Sequence, residues 1–177
     1  MATEAQYKLG CLLQFCQWLA ETPGSIALHE SIWGYPIVES IHVLTLCIFL
    51  GLAVVIDLRL MGIVFRGTAL SDLTRSFAPW LFGGFAVMVI TGVLLFYAIP
   101  VKTYLNIFFR IKVVLLILAG LNAGYFHRTI DRHRAEWERD PVPPFRARLA
   151  GALSLFFWAG IVVAGRMIAY NWFDKEV

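Results

Sequence analysis

Four long apolar stretches, each almost free of charge, constrain this chain more than any other feature of its sequence. They cover about residues 36–61, 79–99, 106–127 and 149–172. Each has roughly the 20 residues that an α-helix needs to cross the hydrocarbon core of a bilayer. Because unpaired backbone groups are costly in lipid, such stretches become helices. The sequence therefore predicts an all-α fold, an integral membrane four-helix bundle, with residues 1–177 forming a single membrane domain.

The composition supports a lipid rather than an aqueous surrounding. Charged residues make up only 15% of the chain and hydrophobic residues 59%, whereas soluble domains carry about 25% charged residues. The net charge of +3 is too small to favour a nucleic acid as partner. The partner that the composition does predict is the lipid bilayer. The chain has three cysteines, Cys11, Cys16 and Cys47, and none of them is spaced as in a CxxC motif. Because the number is odd, we expect packed free thiols rather than a disulfide framework.

Residues 4–20 form a shorter and less apolar segment ahead of the first span. The leucines and Cys16 of this segment recur with i, i+3, i+4 spacing, and most polar side chains lie off that face. It is too short and too polar to cross a bilayer, so we expect an interfacial amphipathic helix. A short helix capped by Ser25 should follow, and Trp33 and Tyr35 mark an aromatic belt at the interface.

The arginines predict the orientation of the chain in its membrane. The loops after the first and third spans are far richer in arginine than the opposite side. The first of these loops is expected over residues 66–76, and Pro79 is expected to open the second span. By the positive-inside rule both loops face the cytoplasm and both termini the periplasm, in a bacterial inner membrane. The arginines are Arg59, Arg66, Arg75, Arg128, Arg132, Arg134, Arg139, Arg146 and Arg148.

Five polar residues share one depth in the outer half of the predicted bundle. A rise of 1.5 Å per residue places His42 and Lys112 about 22 Å above the cytoplasmic ends of their spans, and Arg166 about 27 Å. Glu39 lies one turn outward of His42, and Tyr97 lies roughly 26 Å above the start of its span. Because ionisable groups in a membrane are costly, we expect these five to form a cofactor-binding pocket. The alternative is that Lys112 and Arg166 snorkel to the headgroups while His42 only packs.

A second polar layer lies at the cytoplasmic boundary and contains Asp57, Arg59 and His127. Charges are common at such boundaries, so we expect a structural role for this layer. His42 and His127 differ in depth by about 20 Å, so they cannot ligate one haem iron within a chain. Haem would require His42 with His29, His42 with another kind of ligand, or His42 from two copies. His42 and His29 are therefore the candidate metal ligands.

Two motifs resemble a large uncharacterised family of bacterial four-helix membrane proteins. They are YPIVESIH at residues 35–42 and DLRLMG at residues 57–62, and the resemblance covers most of residues 33–170. It implies that the outer pocket residues and the pair Asp57 and Arg59 belong to the pattern of that family, and it implies no activity. The family is loosely similar to the membrane domains of copper-resistance and b-type cytochrome proteins, which is an analogy of fold alone.

Three functions remain open on this sequence. The first is an electron-transport subunit that binds haem b or a quinone. His42 would bind the iron or the quinone, and Lys112 and Arg166 would hold propionates or a quinone oxygen. The second is a non-catalytic accessory subunit of a larger membrane or periplasmic redox complex. The third is a small transporter, against which the apolar middle of the bundle argues. Homo-oligomer formation and an enzymatic activity both stay open.

Overall fold

The computed structural model describes residues 3–170 and, within that range, all side chains except those of residues 3–9, 131 and 134. This part of the chain is helical and contains no strand. The α-helices are α1 (Thr3–Ala20), α2 (Pro23–Glu30), α3 (Gly34–Leu60), α4 (Leu70–Ala98), α5 (Pro100–Leu105), α6 (Ile107–Tyr125), α7 (Arg134–Trp137) and α8 (Phe145–Ile168).

Four of these helices are long and apolar enough to cross a membrane. They are α3, α4, α8, and α6 together with the π-helical turn Phe126–Ile130 that continues it. Many of their large apolar side chains are exposed on the outside of the molecule, as a lipid solvent requires. The prediction of an all-α, multi-pass membrane fold is confirmed.

The start of the second span differs from the sequence prediction. Helix α4 begins at Leu70, so most of the expected loop 66–76 is helical, and Pro79 lies inside the helix instead of opening it. The reason is tertiary. The Leu70 side chain is buried, and its backbone N–H donates to the carbonyl of Glu138 in the other loop. Because of this contact, the helix begins at Leu70, nine residues before the apolar stretch that was predicted to start at Pro79.

The last span also begins earlier than expected. Helix α8 starts at Phe145, directly after Pro144, whose fixed backbone conformation precedes the first turn. The expected start near residue 149 therefore lies in the second turn of the helix. The predicted end at residue 172 lies outside the described residues.

The spanning helices pack in the order α4, α3, α8, α6. Small residues allow close approach at these contacts. A Cβ added to Gly151 of α8 would come within 2.8 Å of the Asp57 carbonyl oxygen of α3. One added to Gly160 of α8 would come within 2.9 Å of the Leu115 side chain of α6. By contrast, a Cβ at Gly120 of α6 would meet no atom within 4 Å, so this face of α6 is open.

Helix α1 lies outside the four spans and packs on α5. Cys16 of α1 is buried and is only 3% exposed. Phe15 and Trp18 are exposed, and their ring centroids lie 5.8 Å apart. One buried face and one exposed aromatic face are what an interfacial amphipathic helix requires.

The end of the bundle that carries the arginine-rich loops has a compact apolar core. Residues from α3, α4, α7, α8 and the π-turn bury their side chains against one another there. This core closes one end of the molecule much as in a water-soluble domain. Its members are Leu60, Leu70, Ile130, Trp137, Ala147 and Ala150.

Candidate functional site

His42 of α3 and Thr91 of α4 join two spans in the half of the bundle opposite the arginine-rich loops. His42 Nδ1 and Thr91 Oγ1 are 2.8 Å apart. The ring lies over Gly92, where an added Cβ would be 3.5 Å from the ring Cε1. Thr91 is buried, so the contact is shielded from lipid on the α4 side.

The hydrogen bonds of Thr91 assign the tautomer of the His42 ring. The Thr91 hydroxyl donates to the carbonyl of Val87, 2.7 Å away. A hydroxyl has a single hydrogen, so its oxygen must accept from His42 Nδ1. The carbonyl of Met88 is a further acceptor near the ring. In the neutral ring Nδ1 therefore carries the proton, and Nε2 keeps a lone pair that can accept a hydrogen bond or bind a metal.

Lys112 of α6 brings a positive charge to the same layer. Its Nζ lies 3.6 Å from the position that a Cβ of Gly165 in α8 would occupy, and its side chain is half-buried. The ammonium is close enough for its charge to act on the His42 ring. An acceptor nitrogen and an ammonium with three donors thus stand near each other between the spans. The structure therefore brings His42 and Lys112 within range of an electrostatic interaction.

Glu39 and Arg166 lie in the outer layer as well, but both are exposed. Glu39 is one turn from His42 on α3, and its charge acts on Tyr35. The Arg166 guanidinium lies 5.3 Å from the centroid of the Tyr170 ring, and its Nη2 donates to the Tyr170 hydroxyl. The structure therefore places these two charges at the rim of the layer rather than between the helices.

Tyr97 bonds to the segment between α1 and α2. Its hydroxyl lies 2.8 Å from Thr22 Oγ1, and the Ser25 hydroxyl donates to the Tyr97 carbonyl over 2.7 Å. The prediction that Ser25 caps the short helix is wrong. Ser25 lies inside α2 because Pro23 occupies the first turn, and the residue is 1% exposed. Tyr97 thus holds α2 on the end of α4.

The histidines lie on different elements of the structure. His29 is exposed in the last turn of α2, and His127 is exposed in the π-turn after α6. No group of three or more His, Cys, Asp or Glu side chains among the described residues is placed to hold a metal ion. A haem iron at His42 Nε2 would need its second axial ligand from His29, from another kind of side chain or from a second copy.

Arg59 is the most deeply buried charge at the opposite end of the bundle. It is 1% exposed, and its Nε donates to the Thr68 carbonyl over 2.9 Å. Its Nη2 donates to the carbonyls of Glu138 and Asp140, over 2.9 and 3.3 Å. One guanidinium therefore ties the end of α3 to both arginine-rich loops. The sequence marks Arg59 as structural, but no sequence signal identifies backbone carbonyls as its partners.

Asp57 lies one half-turn from Arg59 but has a separate environment. Its carboxyl group is hydrogen-bonded by the Ser154 side chain of α8, and the residue is 6% exposed. Nearby, Asn122 of α6 donates to the Ala150 carbonyl of α8 over 2.9 Å. Sequence reasoning missed Ser154, whose only signal is a hydroxyl within an apolar span.

The chain was compared with known protein families. Residues 24–171 match DUF6644, a family of unknown function. The match includes all four spans and both polar layers. The comparisons with curated proteins and with solved structures found no match. The expected membership of an uncharacterised family is confirmed, while its bacterial distribution and a likeness to copper-resistance or cytochrome proteins stay predictions.

Proposed function

Because the chain belongs to DUF6644, a family of unknown function, its activity must be argued from its own residues, and we propose that it binds a quinone in the layer of His42 and Lys112. In this proposal the protein is a small electron-transfer subunit of the bacterial inner membrane. Both termini and the quinone site face the periplasmic side, and the arginine-rich loops face the cytoplasm.

The observation that carries the proposal is the complementary pair of polar groups within the apolar spans. The lone pair on His42 Nε2 can accept the O–H of a quinol, given the hydrogen bonds of Thr91. The half-buried Lys112 ammonium can donate to a quinone carbonyl. A quinone offers both functions on one ring and reaches such a site through the lipid. A buried ammonium also becomes less costly when it gains an acceptor.

The aromatic side chains beside this layer suit a flat ring. Phe96 of α4 and Phe109 of α6 stack with their centroids 5.5 Å apart. Phe109 lies one turn before Lys112 on α6. Stacked aromatic rings favour a planar aromatic or quinoid ligand. This pair therefore supports a ring-shaped ligand next to the Lys112 ammonium.

Haem b is the second candidate, and the same nitrogen favours it. A histidine with Nδ1–H fixed by a hydrogen bond and Nε2 free is the arrangement found in most haem and metal ligands. Lys112 and Arg166 would then face the haem propionates. The need for a second axial ligand ranks haem below a quinone, since His29 is exposed on α2.

The first experiment is a visible difference spectrum of the detergent-purified protein, reduced with dithionite minus oxidised in air, with quinone extraction from the same sample. Extractable quinone and no α-band is the expected result. A sharp α-band would replace the quinone with haem. The absence of both signals would overturn both candidates. The accessory-subunit hypothesis would then remain, and co-purification of a redox complex would test it.

The role of His42 is tested by comparing His42→Ala with His133→Ala. His133 is exposed in the arginine-rich region, so its loss should leave the ligand in place. We expect His42→Ala to remain monodisperse in detergent and to lose bound quinone. Retention of the quinone at the level of His133→Ala would contradict the assignment of His42.

A further inference from the structure

Asp57 presents an unsatisfied carboxyl oxygen inside the protein. Its Oδ2 atom is buried and has no hydrogen-bond partner among the described residues. The carboxyl group has one donor, the Ser154 side chain. A carboxylate has about four lone-pair sites to satisfy, so one donor is few for a residue that is 6% exposed.

The nearest cation on the same helix does not balance this carboxyl. The guanidinium of Arg59 donates to the carbonyls of Thr68, Glu138 and Asp140. The carboxylate of Asp140 also acts on Arg59. Arg59 is thus committed to the loops. An ionised Asp57 would be a buried charge without an ion-pair partner, which is costly in a protein interior and more so in a membrane.

The charged or titratable side chains in the first turn of α8 and in the π-turn, which lie at the same end of the bundle as Asp57, are exposed. Helix α8 carries them in its first turn, and the chain after α6 carries them in the π-turn. In water and headgroups such charges are screened and contribute little to a buried group. They are Arg146, Arg148, His127 and Arg128.

A bound proton removes the unbalanced charge and reduces the number of lone pairs that need a donor. We propose that the Asp57 carboxyl is a proton-binding site, which holds a proton on Oδ2 and exchanges it with water on the side of the arginine-rich loops. Release transfers the proton to water and leaves a carboxylate that keeps the hydrogen bond from Ser154. Asp57 lies three residues before the end of α3, about 5 Å along the helix, so the loop side is the nearer exit.

The surroundings have the form of a site shared by three spans. Asp57 comes from α3, Ser154 from α8, and Asn122 from α6. Asn122 donates to the carbonyl of Ala150, one turn before Ser154 on α8. Gly151 brings the α8 backbone against the Asp57 carbonyl. Ser154 thus contacts the carboxyl directly, while Gly151 and Asn122 fix α8 against α3 and α6, and none of the three supplies a counter-charge.

Carbodiimide labelling of the full chain in detergent tests the proposal. A protonated carboxyl adds its O–H across a carbodiimide C=N bond, and the product rearranges to a stable N-acylurea, whereas a carboxylate does not react. The protein is treated with an apolar carbodiimide, dicyclohexylcarbodiimide, over a range from acidic to alkaline pH. Peptide mass spectrometry then locates the adducts.

We expect an adduct on Asp57 at neutral pH that disappears in alkaline buffer. Exposed Asp72, in the first turn of α4, is the internal comparison. Absence of an adduct on Asp57 at every pH, or the same pH dependence as Asp72, would overturn the proposal. This outcome is independent of the quinone proposal, because the readout needs no bound quinone.

Ser154→Ala separates proton binding from simple burial. Ser154 donates to the carboxyl, so its loss removes the hydrogen bond that favours the carboxylate. Labelling of Asp57 should then persist to higher pH than in the unmodified protein. An unchanged pH dependence in a monodisperse Ser154→Ala protein would contradict the site as described. Asp57→Asn supplies the background for the Asp57 peptide.

Discussion

The two ends of the bundle are built on different principles. At the end with the arginine-rich loops, an apolar core surrounds Arg59, whose guanidinium donates to three carbonyls. At the other end, a hydrogen bond between spans joins His42 to Thr91, and Lys112 is half-buried in the same layer. Among the described residues, the first end satisfies its buried polar side-chain atoms within the chain, apart from one oxygen of Asp57. The second leaves donors and acceptors available to a ligand.

This difference separates stability from binding. Buried, satisfied polar groups stabilise a fold and are costly to remove. Available polar groups within a membrane contribute little to stability and mark functional sites. Substitutions at the loop end should therefore lower the unfolding free energy, and substitutions in the His42 layer should chiefly change ligand binding.

The largest effect is expected from Arg59→Met. This change keeps an unbranched apolar side chain but leaves three carbonyls without their donor, so the free energy of unfolding should fall by about 3 kcal/mol. Unfolding in detergent, followed by circular dichroism, measures it. Arg75→Met, at an exposed position of α4, is the matched control and should have little effect. Equal stability of the two variants would remove the distinction between the ends.

A smaller loss is expected from Gly151→Ala. The added Cβ would come within 2.8 Å of the Asp57 carbonyl oxygen, so α3 and α8 must separate, at a cost of about 1–3 kcal/mol. Gly120→Ala, where a Cβ meets nothing within 4 Å, is the control on α6. Thermal unfolding of both variants in one detergent compares them. A Gly151→Ala protein as stable as Gly120→Ala would show that the close contact does not set the helix spacing.

Thr91→Val tests the other end. It removes the acceptor that fixes the His42 ring, and a hydrogen bond between spans contributes about 1 kcal/mol or less. We therefore expect a small loss of stability together with a clear loss of bound quinone, measured by extraction. Thr91→Ser keeps the hydroxyl and should keep the quinone. A large loss of stability in Thr91→Val would mean that this layer, too, is structural.

The smallest effect is a difference in thiol reactivity that checks where each cysteine lies. A water-soluble maleimide should label exposed Cys11. Cys47 is exposed on a spanning helix, so it should react with an apolar maleimide instead. Burial raises the pKa of the Cys16 thiol, so its thiolate fraction falls and it should react more slowly than Cys11 at neutral pH. Faster labelling of Cys16 than of Cys11 would contradict the packing of α1 on α5.

Cys11 also tests the proposed orientation. In spheroplasts, an impermeant maleimide should label Cys11 without lysis if the N-terminal helix faces the periplasm. Labelling that requires lysis would invert the orientation derived from the arginines. The inversion would leave the contrast between the two ends intact, since that contrast rests on contacts within the chain.

The sequence determined the four spans, the amphipathic helix and the depth of each polar residue. A helix is the structure that satisfies the backbone of a long apolar stretch in lipid, and depth follows from the fixed rise per residue. These arguments suffice to place His42 and Lys112 in one layer and Asp57 and Arg59 in another. They need no knowledge of which helices touch.

The tertiary structure alone decided which partner each polar side chain has. In the folded chain Tyr97 is hydrogen-bonded to Thr22, Arg59 donates to three loop carbonyls, and Asp57 accepts from Ser154 while its Oδ2 has no partner among the described residues. The tertiary structure also moved the start of α4 to Leu70. The physical reason is that the sequence of a span that is apolar on every side does not indicate how the helix is rotated about its own axis. The faces that meet are selected by glycine contacts and by a few hydrogen bonds between helices, and these depend on all four helices together.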